Sequence, residues 1–574
     1  MTPPQRVVDF IVDYLNADGT EHIFGVGGAN IEDLYDAIHN HSNLTGVLAK
    51  HEFSAATMAD GYSRAGCALG VVVATSGGGS LNLLPGLGES RASRVPVLAI
   101  IGQPPMFLDG RGSFQDTSGS NGSIDAEAVF GAVAVHCTRI TQPGDIVTAL
   151  PAAIAAARAG GPAVLLIPKD IQQAVIPATA FSVAPAASSR AGTRPEDTAP
   201  NVDPRMLAHA LASGPVTIIA GDQVARDDAR DELRRLRESV NALVVTVPDA
   251  KDAHAGAPVT GVMGHLGVAE AIDASAVCLL VGTRLPGTAS AGLEASLARV
   301  PTVSIGNVRP FPDCVHFHSD DLRVTLAGLT RLLDETSRSH PDAGIEVPTE
   351  LTPPQHDGPG IRYRDALTAL DRVLPDDVDI VVDAGNTGAS AIHYLPVRPD
   401  GRFVVALGMG GMGYGFGAGI GMAFARGHRV VIIAGDGSFF MHGMEIHTAI
   451  QYHLPVTFVL FNNDAHGMCV TREQLYYGGD YSYNRFDPSA LGVGLAAMFP
   501  GLHSVDIDAI ADLPDSLATA LNQSGPSVVS IRCSADEIPP FAPFLGFSTV
   551  KDARPEPIST APAKETDPDV AARA

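Results

Sequence analysis

Short, unbroken runs of Val, Ile, Leu and Ala recur along the chain. The first third has GVVVAT, VPVLAIIG and GPAVLLIP. The middle has GPVTIIAGD, ALVVTVP, AVCLLVG and TVSIG. The last third has DIVVDAG, FVVAL, HRVVIIAGDG, VTFVLFNN and SVVSIRC. A strand with one wet face alternates apolar and polar residues; a continuous run suits a parallel strand covered on both faces. The intervening segments are of helical length, which predicts right-handed βαβ units. Phe181–Asp203 and Thr336–Gly360 are rich in Pro, Ala, Ser and Gly without apolar periodicity and read as linkers, and residues 551–574 read as a disordered tail. The expectation is an α/β protein with three doubly wound, mostly parallel-sheet domains over residues 1–180, 204–335 and 361–545. Ligands bind such sheets beyond the carboxyl ends of the strands. Candidate chemistry therefore belongs just after each apolar run.

The strongest pattern stands there. RVVIIAGDGSFFMHGMEIHTAIQYHLPVTFVLFNN reads strand, glycine turn, helix, strand, amide turn, with Asp436 between Gly435 and Gly437 and Asn463 27 residues later. An aspartate, an Asn amide oxygen and a backbone carbonyl are hard ligands that suit Mg²⁺ when phosphate oxygens complete the shell. Flanking glycines let backbone approach phosphates, and the next helix offers its N-terminus. Nearby, Gly408, Gly410 and Gly413 match G-x-G-x-x-G after a strand, which makes a nicotinamide-binding domain the rival reading. Glu52 opens a helix after TGVLAKHE; alone, it reads as a first-turn carboxylate favouring the helix dipole.

Composition narrows the partners. A formal charge of −25 repels nucleic acid and anionic membranes. No apolar run approaches the roughly 20 residues of a membrane span, and the N-terminus lacks the pattern of a signal peptide, so a cytoplasmic protein is expected. The cysteines (Cys67, Cys137, Cys278, Cys314, Cys469, Cys533) form no C-x-x-C pair, which argues against zinc or a disulfide framework.

With HEFSAATMADGYSRA, ATSGGGSLNLL, GSFQD at Gly112–Asp116, GPAVLLIPKDIQ, GGMGYGFGAGIG and NNDAHGM added to the GDG…NN pair, the chain resembles the thiamine diphosphate enzymes. Within them it is most similar to acetohydroxyacid synthase (acetolactate synthase), over roughly residues 5 to 540. The resemblance implies pyrimidine-binding, central and diphosphate-binding domains, with thiamine diphosphate and Mg²⁺ as cofactors. It implies Asp436, Asn463 and the carbonyl of Ala465 as metal ligands, and Glu52 as the catalytic acid against the pyrimidine ring. Gly385, Asn386, Gly410, Met412, Gly435, Gly437, Ser438 and Met468 would bind the cofactor, with Gly410 accepting from its amino group and Met412 holding it bent. Gln115, Lys169 and Phe114 would line the substrate channel. Arg472 stands where the synthases carry a substrate-selecting Trp, so an anionic or polar substrate is expected. GTRLPGTASAG replaces the Arg-Phe-Asp segment of FAD-binding synthases, which puts FAD in doubt. The implied reaction is decarboxylation of a 2-oxo acid, with transfer of the acyl carbanion to a second carbonyl compound. Simple decarboxylation to an aldehyde is the alternative, and an inactive subunit a further one. In the family, first and third domains of different chains share a site, which implies a homodimer or homotetramer.

Overall fold

The computed structural model describes residues 5–41, 43–66, 69–182, 204–335 and 348–546. The first expected linker falls almost wholly, the second in its first half, and the expected tail wholly, outside those residues.

Three sheets form, and every ladder in them is parallel. The first contains β1 (His22–Gly25), β2 (Thr45–Leu48), β3 (Gly70–Ala74), β4 (Val97–Gln103), β5 (His136–Arg139) and β6 (Pro162–Pro168), in the order β2-β1-β3-β4-β6-β5. The central sheet contains β7 (Val216–Ala220), β8 (Leu243–Thr246), β9 (Val277–Val281), β10 (Thr302–Gly306) and β11 (Val315–His318), ordered β11-β10-β9-β7-β8. The third contains β12 (Asp379–Val382), β13 (Phe403–Val405), β14 (Val430–Gly435), β15 (Val456–Asn462), β16 (His503–Ile507) and β17 (Ser527–Arg532), ordered β13-β12-β14-β15-β17-β16. The third sheet thus repeats the strand order of the first.

The continuous apolar runs became strands buried along their length: β4, β6 and β15 have no exposed residue. The sequence pattern missed β1, β5, β11 and β16. The last three lie at sheet edges, are partly exposed and are interrupted by polar residues, so they lack the uninterrupted run; β1 is an inner strand of four residues, with Ile23 and Phe24 flanked by His22 and Gly25, too short to form one.

One apolar core runs through the first and third sheets, joining Met58, Phe24 and Phe130 to Phe416, Ile432 and Phe458. Its centre is the crossing of helices Glu52–Arg64 and Tyr414–Arg426, each the helix that follows the second strand of its sheet. Glycines let their backbones touch. A Cβ on Gly61 would lie 2.1 Å from the Ala418 carbonyl oxygen, and one on Gly421 would lie 2.0 Å from that of Met58. The central sheet packs around its own core, which includes Leu233, Leu279 and Leu326. It is pinned to the third by Lys251, whose ammonium donates to the carbonyls of Ile392 (2.5 Å) and Leu395 (2.6 Å) at a helix C-terminus. Beside that joint His393 stacks on His265, ring centres 4.6 Å apart.

Candidate active site

β14 and β15 are neighbours in register, Gly435 opposite Phe461, so the residues just beyond them emerge side by side. Asp436 begins the helix Asp436–His442; Asn463, Asp464 and Ala465 form the turn into the helix Gly467–Tyr477. The Ala465 N–H donates to Asp436 Oδ2 at 3.1 Å, while Oδ1 is buried without a partner. The Asn463 amide nitrogen donates to the Tyr363 hydroxyl at 3.2 Å, which leaves its oxygen buried and unpaired. Asn386 repeats the arrangement, with its nitrogen on Thr471 Oγ1 at 3.0 Å and its oxygen unpaired. Buried acceptors without donors are costly. Three around one pocket form a set of hard oxygen atoms suited to a cation.

The pocket walls include Gly385, Gly435, Gly437, Ser438, Met412 and Met468. Gly385 has φ +108°, a conformation that favours glycine. Burial pushes the Asp436 pKa up to about 7, and a cation against Oδ1 would restore its charge. Among the described residues no cluster of three His, Cys, Asp or Glu forms a ready-made metal cage. One carboxylate with amide oxygens instead matches Mg²⁺ held jointly with a phosphorylated ligand.

Two acids that sequence reasoning did not single out position the neighbouring glycine loop. Glu89, from the first domain, accepts from the N–H groups of Gly408 (3.2 Å) and Met409 (2.6 Å). Buried Asp383, at the end of the DIVVDAG run, accepts from Gly413 (3.1 Å), Gly415 (2.9 Å) and the Ser438 hydroxyl (3.1 Å). An acid closing a buried strand was the available signal. With these N–H groups taken by carboxylates, the G-x-G-x-x-G loop is no cradle for a dinucleotide's pyrophosphate. Gly410 sits exposed at its tip with φ +65°, and Met412 reaches back to Gly437.

Glu52 begins its helix, capped by the His51 ring, which accepts from the Phe53 N–H at 3.1 Å. Glu445 of the third domain braces that start, accepting from the N–H groups of Lys50 (2.8 Å) and His51 (3.1 Å). Glu52 is half-buried; its Oε2 accepts from Asn82 at 2.9 Å. Gln115, at φ +63°, lies over Gly77 and accepts from Thr75 Oγ1 at 3.1 Å. The Lys169 ammonium is already engaged by the Ala29 carbonyl at 2.8 Å and the Glu32 carboxylate. Phe114 is 77% exposed on its loop. Arg472, exposed, follows Met468 by one helical turn and lies 5.2 Å from the Tyr476 ring centre.

The expected residues therefore gather in two groups. Glu52 and Gln115 cluster at the carboxyl end of the first sheet, with Lys169 beside Ala29. Asp436, Asn463, Ala465, Asn386, Met412 and Met468 surround the third-sheet pocket, whose walls all come from residues 384–469. A larger cavity of about 490 Å³ lies beyond β7, β9 and β10, walled in part by Arg94, Arg226, Arg284, Asp222 and Asp249.

Three family models match the chain in order. The thiamine pyrophosphate enzyme N-terminal TPP binding domain matches residues 5–123, the central domain 207–311 and the C-terminal TPP binding domain 383–531. A probable acetolactate synthase large subunit of Methanocaldococcus jannaschii is 29% identical, with 95% of each chain covered. The Escherichia coli acetolactate synthase isozyme 1 large subunit is 25% identical, with 92% of this chain and 94% of that one covered. An X-ray structure of a Mycobacterium smegmatis protein assigned as a thiamin diphosphate-dependent enzyme superposes with a TM-score of 0.73 at 23% identity, over 92% of this chain and all of that one, and bears on the fold. With GDG and NN at adjacent strand ends and all three domain models in sequence, the chain belongs to the thiamine pyrophosphate enzymes and is of the acetolactate synthase-like kind.

Proposed function

We propose that the protein decarboxylates a 2-oxo acid and transfers the acyl unit to a second carbonyl compound, using Mg²⁺ and thiamine diphosphate. The observation that carries the reading is the set of unpaired buried oxygens of Asp436, Asn463 and Asn386 around one glycine-walled pocket. Asp436, Asn463 and the Ala465 carbonyl would hold the metal, with Gly385, Gly435, Gly437 and Ser438 against the diphosphate and Gly410, Met412 and Met468 against the rest of the cofactor. When bound, thiamine diphosphate supplies the nucleophilic carbon and the electron sink. Glu52, with Oε2 held by Asn82, would use its other oxygen to exchange a proton with the pyrimidine ring nitrogen. Gln115, Lys169 and Phe114 would face the substrates, and Arg472 on the rim would favour an anionic one. Simple decarboxylation remains the competing outcome. The assignment does not extend to FAD, because Thr283, Arg284 and Pro286 stand in the central cavity wall, in the segment where flavin-binding synthases carry Arg-Phe-Asp.

The pocket around Asp436 encloses only about 50 Å³, too little for a whole cofactor, and Glu52 is no part of its wall. This supports a site completed by Glu52 of a second copy, in a homodimer or homotetramer of a cytoplasmic enzyme. The reaction is tested by CO₂ release from a panel of 2-oxo acids, with product analysis in the presence of acceptor aldehydes or oxo acids. A carboligation product dependent on Mg²⁺ and thiamine diphosphate is expected. Release of an aldehyde alone would favour the decarboxylase, and no turnover of any 2-oxo acid would remove the reading.

A further inference from the structure

The pocket that would take the diphosphate has an unusual charge inventory. A diphosphate carries two to three negative charges, and one Mg²⁺ shared with Asp436 leaves part of that charge unmatched. Yet among the described residues lining the pocket there is no Lys and no Arg. The one basic side chain in the wall is His466, in the turn between Asn463 and the helix Gly467–Tyr477.

His466 is held as a fixed donor would be. Its backbone N–H is spent on the Asn484 carbonyl at 2.9 Å, so only the side chain is left to face a ligand. The ring packs edge-on against Phe486, centres 4.7 Å apart at 88°. Its Nδ1 edge lies over Gly437, where a Cβ would come within 2.4 Å of Nδ1. Gly437 is therefore glycine because the imidazole occupies the space over it. Nδ1 is buried and has no partner in the protein, although the ring stands among the unpaired oxygens of Asp436, Asn463 and Asn386. A buried imidazole nitrogen without a partner costs free energy in the same way those oxygens do. The oxygens call for a cation, and an N–H beside them calls for the anion that comes with it. An imidazole nitrogen is a poor ligand for Mg²⁺, which prefers hard oxygen atoms, so the donor role is favoured over coordination.

We propose that His466 donates its Nδ1–H to the cofactor's diphosphate and serves as the pocket's principal side-chain phosphate anchor. The inference rests on the thiamine diphosphate reading above and adds a binding residue to it. The test uses the full-length chain freed of cofactor by dialysis, titrated calorimetrically with thiamine diphosphate and separately with inorganic pyrophosphate, both at saturating Mg²⁺. His466→Leu removes the donor and keeps bulk; His466→Asn places an amide N–H roughly where Nδ1 stood. Loss of a hydrogen bond to a charged group should raise both dissociation constants at least about 10-fold in His466→Leu. His466→Asn should stay within about 3-fold of the parent, since a donor is retained. Matching melting curves of the three cofactor-free proteins show that folding is unaffected. Parental affinity in His466→Leu, or equal weakening in both variants, would overturn the donor role while leaving the cofactor reading intact. A parent chain that binds no thiamine diphosphate would remove both.

Discussion

The first and third sheets share one strand order and one sense, and each sends a helix from its second strand to pack on the other's, yet their carboxyl ends hold different chemistry. Beyond the third strand of the first sheet stand Thr75, Ser76 and Gly77; beyond the corresponding strand of the third stand Asp436 and Gly437. Beyond the second strand the first sheet has Glu52, and the third has the glycine loop ending in Met412 and Gly413. One sheet offers a carboxylic acid braced by Asn82 and a neutral hydrogen-bonded network. The other offers unpaired oxygens and glycine walls. On the proposed reading, a single topology would supply a proton-handling half-site and a cation-and-phosphate half-site, because the fold fixes where strand ends lie and leaves open what stands on them.

The largest effect should come from the position where the two sheets differ most. Asp436→Ala removes the one carboxylate of the oxygen set; Mg²⁺-dependent cofactor binding and activity should fall to background in calorimetry and turnover assays. Ser76→Ala, at the corresponding strand end of the first sheet, should leave cofactor binding within a few-fold of the parent. Equal losses in both would show that the two ends are not specialised.

Glu52→Gln should separate proton handling from binding. A rate loss of roughly 10²–10⁴-fold with cofactor affinity retained is expected. Loss of binding in step with rate would make Glu52 part of the anchoring half.

The helix crossing sets the equivalence of the two sheets. Gly61→Ala and Gly421→Ala each drive a methyl into a backbone carbonyl of the facing helix, so each should destabilise by about 3 kcal/mol in denaturant unfolding. If only one does, the crossing is not reciprocal.

A smaller effect should mark the third sheet's joint with the central domain. Burial pushes the His393 pKa down to about 4, and both ring nitrogens are committed: Nδ1 donates to the Met263 carbonyl at 2.9 Å, and Nε2 accepts from the Leu351 N–H at 3.0 Å. The folded-state pKa lies below the unfolded value of 6.5, so this stability is present above pH 6.5 and is lost as pH falls toward 4. The loss for this residue should reach about 2 kcal/mol by pH 5. Thermal melts of the cofactor-free protein should show it, with a flatter profile in His393→Gln; identical profiles would place the acid sensitivity elsewhere.

Much of this was legible in the sequence because buried parallel strands write themselves as continuous apolar runs, and because Asp436 and Asn463 end two such runs. β5, β11 and β16 were not, since an edge strand needs no run, and neither was β1, an inner strand too short to make one. Glu89 and Glu445 escaped notice because their partners are backbone N–H groups distant in sequence and nothing local marks an acid as their acceptor; Asp383 at least closes a buried strand, though its glycine-loop partners are equally distant. The partners that hold the Lys169 ammonium, Glu32 and the Ala29 carbonyl, also lie far from it in sequence, so its anchoring was not legible there.

The central claim is that Glu52 of one copy works on the cofactor held by Asp436 of another. Glu52→Gln and Asp436→Ala chains, each inactive alone, should be co-expressed and purified together as a mixed assembly. In a mixed dimer with shared sites, one site receives both substitutions and the other receives neither. Activity should therefore return to roughly a quarter of the parental value if the chains pair at random as a symmetric dimer. No recovery in an assembly shown by mass to contain both chains would mean that each chain builds its own site, and would contradict the shared arrangement.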